Sequence, residues 1–442
     1  MKRFALVLML ASLLALGGQA FAEMCTIDAV PAATLLVPYF EVDLNSSEGV
    51  TTLFSVNNAS AAPALAHVTM WTDWSQPTVD FDMFLTGYDV ITVNLRDVFA
   101  GNIPITADDQ SDPGDAISPH GLNSIWDGDF PGCDGFFPFF VNPVISGANL
   151  TRVVNGHTGV DVAGNGCMGS ATGDNIARGY ITIDNATKCS VEFPSDDTYF
   201  GGLDPVASNV NQLWGDYFIV DPTNNFAFGD NLVHVEAEDG FDASSTPTGY
   251  TFYGRYTGAT GGADAREPLG TTWGVRYLNG GAFDGGTDLI VWRDSTSAST
   301  DAFYNCGVGP DWVPLNETEV VAFDEEENAV ELCYTGPGGV ISPPQDESDP
   351  ACFPLETQRT PYGEGDLNGP YAFGWLYLNL NVGVDADNDY DPGTNGTLAQ
   401  SYVAVAHSAL NLYQVGLSAI SLNNACEDVD PLITDQGNIP TN

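Results

Sequence analysis

Residues 50–96, VTTLFSVNNASAAPALAHVTMWTDWSQPTVDFDMFLTGYDVITVNLR, alternate apolar and polar side chains in short runs broken by turn formers. Thr52, Phe54 and Val56 alternate with Leu53 and Ser55, and Val79, Phe81, Met83 and Leu85 with Asp80, Asp82 and Phe84. A period of two sends successive side chains to opposite faces, so each run predicts a strand with one buried face. Asn57-Asn58, Ser75-Gln76-Pro77 and Thr86-Gly87 supply the turns. Strands recurring at this spacing predict an antiparallel sandwich.

The pattern returns later in the chain. GVRYLNGGAFDGGTDLIVWRD (274–294) overlays TLFSVNNASAAPALAHVTMWTD (52–73), which would make Trp292 the counterpart of Trp71. TEVVAFDEEENAVELC (318–333) then takes the place of the 79–96 hairpin. FGWLYLNL (373–380) matches RGYITID (178–184), and QSYVAVA and GLSAISL match GDYFIVD and NLVHVEA. The order of blocks predicts a duplication. The expected fold class is therefore all-β: two tandem immunoglobulin-like antiparallel β-sandwich domains with long loop insertions. The first is expected over 23–240, with a loop-rich insertion at 101–177. A Gly/Ser/Thr-rich linker follows at 241–269, and the second domain at 270–442.

Residues 1–22 carry Lys2 and Arg3, an apolar run from Phe4 to Leu16, and Ala20-Phe21-Ala22, the make-up of a signal peptide cleaved before Glu23. The apolar run is too short to span a bilayer, so export without membrane insertion is expected. The location is extracellular or cell-surface, with the periplasm as the other compartment the signal allows. Eight cysteines follow: Cys25, Cys133, Cys167, Cys189, Cys306, Cys333, Cys352 and Cys426. An even number in an exported chain predicts disulfides. Spacing does not fix their pairing. A Cys133–Cys167 bridge would restrain the insertion, pairs within each half are favoured, and Cys25 and Cys426 could meet near the termini.

The charge excludes whole classes of partner. Without Lys2 and Arg3, 9 basic residues stand against 59 acidic ones. Nucleic acid and anionic membrane both need a basic face, so neither is expected. At 43% hydrophobic residues the chain nevertheless has ample material for packed cores.

LLVPYFEVD, TTLFSVNN, DFDMFLTGYDVITVNLRDVF and RGYITI together resemble a group of exported bacterial β-rich proteins. That group carries a VPYY-like first strand, a T-x-x-x-x-x-N strand and an F-x-x-x-L hairpin. Thr86-Gly87 departs from the Ser-Pro of the group. The resemblance implies a secreted β-rich protein and brings no catalytic residues with it.

Few motifs carry chemistry. Asp385, Asp387, Asp389 and Asp391 place hard oxygen ligands at alternate positions, as calcium loops do, so calcium is the one expected cofactor. Tyr390 and Gly396 break the full loop pattern, and the competing reading is an acidic surface loop. Trp126, Phe136, Phe137, Phe139 and Phe140 form the binding candidate, an aromatic patch in the insertion. Nucleophile-elbow and zinc-protease motifs are absent, and GATGGADA lacks the lysine of a phosphate loop. The expectation is an acidic structural or binding protein of the bacterial surface or extracellular matrix. Its partner would be an extracellular glycan or a surface protein, or it would self-associate, and no catalysis is expected. The alternative is a polysaccharide-directed hydrolase with a carboxylate site in 101–177.

Overall fold

The computed structural model describes residues 29–104, 130, 133, 145–238, 250–258, 263–295, 302–315, 317, 319–333, 351–365, 367–381, 399–410 and 412–422. The chain is all-β, built from antiparallel sheets. The first half supplies β1 (Thr34–Asp43), β2 (Thr51–Asn58), β3 (Ala64–Trp71), β4 (Pro77–Leu85), β5 (Val90–Asn94), β6 (Ile176–Asn185), β7 (Leu213–Trp214), β8 (Asp216–Asp221), β9 (Phe226–Asn231) and β10 (Val233–Val235). The second supplies β11 (Thr272–Leu278), β12 (Gly286–Arg293), β13 (Glu319–Phe323), β14 (Ala329–Glu331), β15 (Thr357–Pro361), β16 (Phe373–Asn379), β17 (Ser401–Ala409), β18 (Tyr413–Ser418) and β19 (Ile420–Ser421).

The two halves share one topology. The first has sheets ordered β10-β1-β6-β3-β4 and β5-β2-β8-β9; the second has β19-β11-β16-β13-β14 and β15-β12-β17-β18. Strand for strand, β1 corresponds to β11, β2 to β12, β3 to β13 and β6 to β16. Registers extend the match to residues. Thr34 opposes Asp184 as Thr272 opposes Asn379, and Phe54 opposes Tyr217 as Trp292 opposes Tyr402. The glycines agree. A Cβ on Gly179 would overlap the Trp71 carbonyl, and one on Gly374 would overlap the Phe323 carbonyl. The neighbouring rings stack alike, Trp71 on Tyr180 at 5.8 Å and Phe323 on Trp375 at 4.2 Å.

This corrects the sequence overlay. The counterpart of Trp71 is Phe323, and that of Trp292 is Phe54; the overlay places 274–294 one strand too far along, and likewise 318–333, whose β13 and β14 correspond to β3 and β4 rather than to the 79–96 hairpin. Alternating strands resemble one another whatever their place in a sheet, so a slide by a whole strand preserves the pattern. The matches of 373–380, 400–406 and 416–422 fall on corresponding strands.

β1 shows how sequence sets position. TLLVPYFEV is buried at every residue, the mark of a strand covered on both faces. Its Pro38 falls at a break in register between Val37 and Phe40, where a missing N–H costs no ladder bond. The freed carbonyl accepts from Thr357 Oγ1 of the second half at 2.5 Å. β1 touches β2 and β8 of its own half and β12 and β15 of the other.

Over its described residues from 145 to 177, the insertion 101–177 is more regular than its composition suggested. It carries a twelve-residue helix, Gly147–Thr158, that ends on Gly159 in the left-handed conformation at φ 64°. Its His157 is buried against Phe40 and Phe99, and burial pushes the imidazole pKa down to about 4. Among the described residues no helix is long and apolar enough to cross a membrane.

Candidate functional site

The stretch expected to link the halves packs between them over its described part, with residues 251–254 and 266–269 buried. Arg266 is wholly inaccessible. Its guanidinium reaches Asp264 at 3.1 Å, Asn209 at 3.1 Å, the Ser208 carbonyl at 2.9 Å, and also Thr34. Asp184, at 3.5 Å from Arg266 Nε, accepts from Thr34, from Tyr199 at 2.7 Å and from Tyr253 at 2.8 Å. These bonds hold the segment to the first half. Arg255 holds it to the second, donating to Asp294 at 2.6 Å and to both oxygens of Glu356 at 2.9 and 3.1 Å. Burial raises the Glu356 pKa, and the Arg255 charge opposes that rise. Phe252 stacks on Trp292 at 5.6 Å, and Trp292 meets Tyr180 edge-on at 5.9 Å. One apolar cluster runs through both halves, from Phe40 and Ile181 to Trp273 and Val405.

The disulfides add to the seam. Cys133 pairs with Cys189, Cys333 with Cys352, and Cys167 with Cys306. The expected Cys133–Cys167 bridge is therefore wrong, and Cys167–Cys306 joins the halves rather than staying in one. Its cause is spatial: Cys167 and Tyr304 form a two-way backbone bridge at 2.9 and 2.8 Å. Among the described residues no cysteine is free.

On the outside of this seam lies a cleft of about 250 Å³. Asp221 and Phe226, flanking the β8–β9 turn, form one wall; Asp288, Arg359, Leu410 and Tyr413 form the other. Arg359 donates to Glu41 of β1 at 2.7 Å and to Asp288 at 2.9 Å, and its guanidinium lies 4.8 Å from the centre of the Phe226 ring. Asp221 accepts from the Thr223 and Asn224 amides at 3.0 and 3.2 Å. The cleft thus combines aromatic walls with two carboxylates and one cation already held by acids. A second cleft of about 360 Å³, lined by Asn94, Asp97 and Asn102, opens beside the start of the insertion.

Elsewhere the acids whose pKa burial raises are structural. Burial pushes the Asp73 and Asp80 carboxyls up to about 6. Asp73 accepts from the Ser170 amide at 2.9 Å, a structural bond. Glu317, Cys333 and Cys352 lie close enough to suggest a metal site. The two sulfurs are joined to each other, however, and Glu317 pairs with Arg293 at 3.4 Å and accepts from the Cys352 amide, so no thiolate is available. In the insertion, Asp174 is ion-paired with Arg178 at 2.6 Å, which holds its carboxyl well below the usual range. Asp161 accepts from the Gly164 and Gly166 amides.

The aspartates Asp385, Asp387, Asp389 and Asp391, the aromatic patch Trp126, Phe136, Phe137, Phe139 and Phe140, and Cys25 and Cys426 all lie outside the described residues. The seam cleft is not legible in the sequence because its walls come from four segments widely separated along the chain, at 221–226, 288, 359 and 410–413. The nearest signal was the scarcity of arginine, which makes each one present worth tracing. Compared with known proteins, the chain matches no family model, no curated protein and no solved structure.

Proposed function

We propose that the protein is a secreted, acidic structural or binding protein of the bacterial cell surface or extracellular matrix, acting without catalysis, each half an immunoglobulin-like sandwich. One observation carries this reading: the fold supplies the acceptors for its own cations. Each of the 9 basic side chains after residue 22 donates to an acceptor of the fold, Arg96, Arg152, Arg276 and Arg293 to backbone carbonyls and Lys188 to Asp204 among them. Arg178, Arg255, Arg266 and Arg359 are held by carboxylates. Acids far outnumber these cations, and those that are not buried are left to dominate the exterior, which suits solubility outside the cell and contact with cationic or neutral partners. The disulfides and the likeness of the first strands to exported bacterial proteins support the same compartment.

The test is fractionation of producing cells, followed by binding and hydrolysis screens of the mature protein against envelope fractions and polysaccharides. Recovery outside the inner membrane with saturable envelope binding and no release of reducing sugar is expected. Polysaccharide turnover by the pure protein would overturn the reading. Calcium held by Asp385, Asp387, Asp389 and Asp391 belongs to the same proposal, since an ion bound only by the folded form raises the melting temperature. Identical melting in calcium and in EDTA at matched ionic strength would remove it.

A further inference from the structure

β18 presents an apolar face to solvent. Tyr413, Val415 and Leu417 are 44, 48 and 53% exposed, and Leu412 and Ile420, on either side of the strand, are both 71% exposed. Alternate residues of a strand share one face at steps of about 6.8 Å, so the three form a row. Leu410, 57% exposed, brings the row to the seam cleft, which it lines together with Tyr413. On an exterior dominated by acids this run is a local exception, and contiguous exposed apolar surface marks interaction sites.

Carboxylates flank the row. Asp221 and Asp288 stand in the cleft, Asp284 accepts from the Leu410 amide at 2.9 Å, and Asp230 accepts from Ser418 Oγ at 2.7 Å at the far end. Arg359 is held by Glu41 and Asp288, which leaves Asp221 uncompensated by it. Neither β18 nor β17, its hydrogen-bonded neighbour, carries a lysine or arginine. The opposite face of β18 is covered by β9, where a Cβ on Gly416 would meet the Phe228 ring and the Gly229 carbonyl. The row is therefore the face of β18 left open to a partner.

Building on the binding reading above, we propose that this face and the cleft at its head take a cationic, extended segment of a partner protein. A lysine or arginine side chain would enter the cleft between Asp221 and Tyr413, and aliphatic side chains at alternate positions would follow Val415 and Leu417. A neutral glycan offers no charge to the carboxylates, and a second copy of this chain brings like charge to a face ringed with acids.

The experiment measures fluorescence anisotropy of a labelled nine-residue peptide, one lysine followed by alternating valine and serine, with the mature full-length protein. The control peptide carries glutamate in place of the lysine. The lysine peptide is expected to bind at least tenfold tighter than the control, and more weakly as salt rises. Val415→Ser combined with Leu417→Ser is expected to weaken it at least tenfold with an unchanged melting temperature, because both side chains are half-exposed. Asp221→Asn is expected to narrow the gap between the two peptides. Equal binding of both peptides, or undiminished binding by the double variant, overturns the proposal. So does a concentration-dependent dimer in sedimentation that the double variant abolishes, which assigns the face to a second copy. A lower melting temperature of the double variant without any peptide binding also overturns it, and assigns the face to residues 423–442 of the chain itself. Envelope binding retained by the double variant strikes this site alone, whereas its absence in the unaltered protein strikes the binding reading.

Discussion

Arg266→Met lowers the stability of the mature protein by about 3–5 kcal/mol, the usual cost of removing one partner from a buried ion pair. The methionine fills a similar volume, so the loss reports charge rather than a cavity. Asp184 and Asp264 would remain in a site with no solvent access and no cation. Tyr199 and Tyr253 still donate to Asp184, which keeps the loss from being larger. Adding Asp184→Asn and Asp264→Asn to Arg266→Met should restore most of the stability, since a neutral network carries no stranded charge. Urea unfolding of the three proteins reads both effects. A loss below about 1 kcal/mol for the single variant would mean that the pair is solvated, contrary to the geometry.

The second large effect is expected from Cys167→Ser with Cys306→Ser. These cysteines are 139 residues apart, and in the chain-entropy account closing a loop of that length restricts the unfolded chain by about 5 kcal/mol. The bridge between Cys167 and Tyr304 would hold the two segments together in the folded form, so the fold should survive while the unfolding midpoint falls. Serine at Cys333 and Cys352, only 19 residues apart, should cost less, about 3 kcal/mol on the same account. Equal losses from the two pairs would show that loop length does not govern their contribution here.

Much of the fold is legible in the sequence, and for a definite reason. β2, β4, β6 and β8 alternate cleanly because strands half-exposed or packed between unlike layers must alternate. β1 and β3 are buried along nearly their whole length, and read as apolar runs instead. The duplication was visible in RGY and FGW, where a glycine must sit beneath a neighbouring carbonyl and an aromatic ring follows. Its first two blocks slip by one strand because period alone carries no information about place in a sheet. The seam was illegible: Arg255 and Arg266 sit in a stretch whose glycines and threonines read as a linker, and their partners at 184, 294 and 356 are distant in sequence. The Cys167–Cys306 pairing was hidden likewise, since spacing cannot show which loops meet. The row on β18 is indistinguishable in sequence from any other strand, because exposure of an apolar face depends on what the other sheet leaves uncovered.

The two copies of one strand plan are built as a single unit around a buried, charged seam. Differential scanning calorimetry of the mature protein without reductant tests it most directly. One cooperative transition, with calorimetric and van't Hoff enthalpies equal, is the expected result, and Arg266→Met should shift that transition as a whole. Two resolved transitions, only one of them moved by Arg266→Met, would show that the halves are separate domains and would contradict the account.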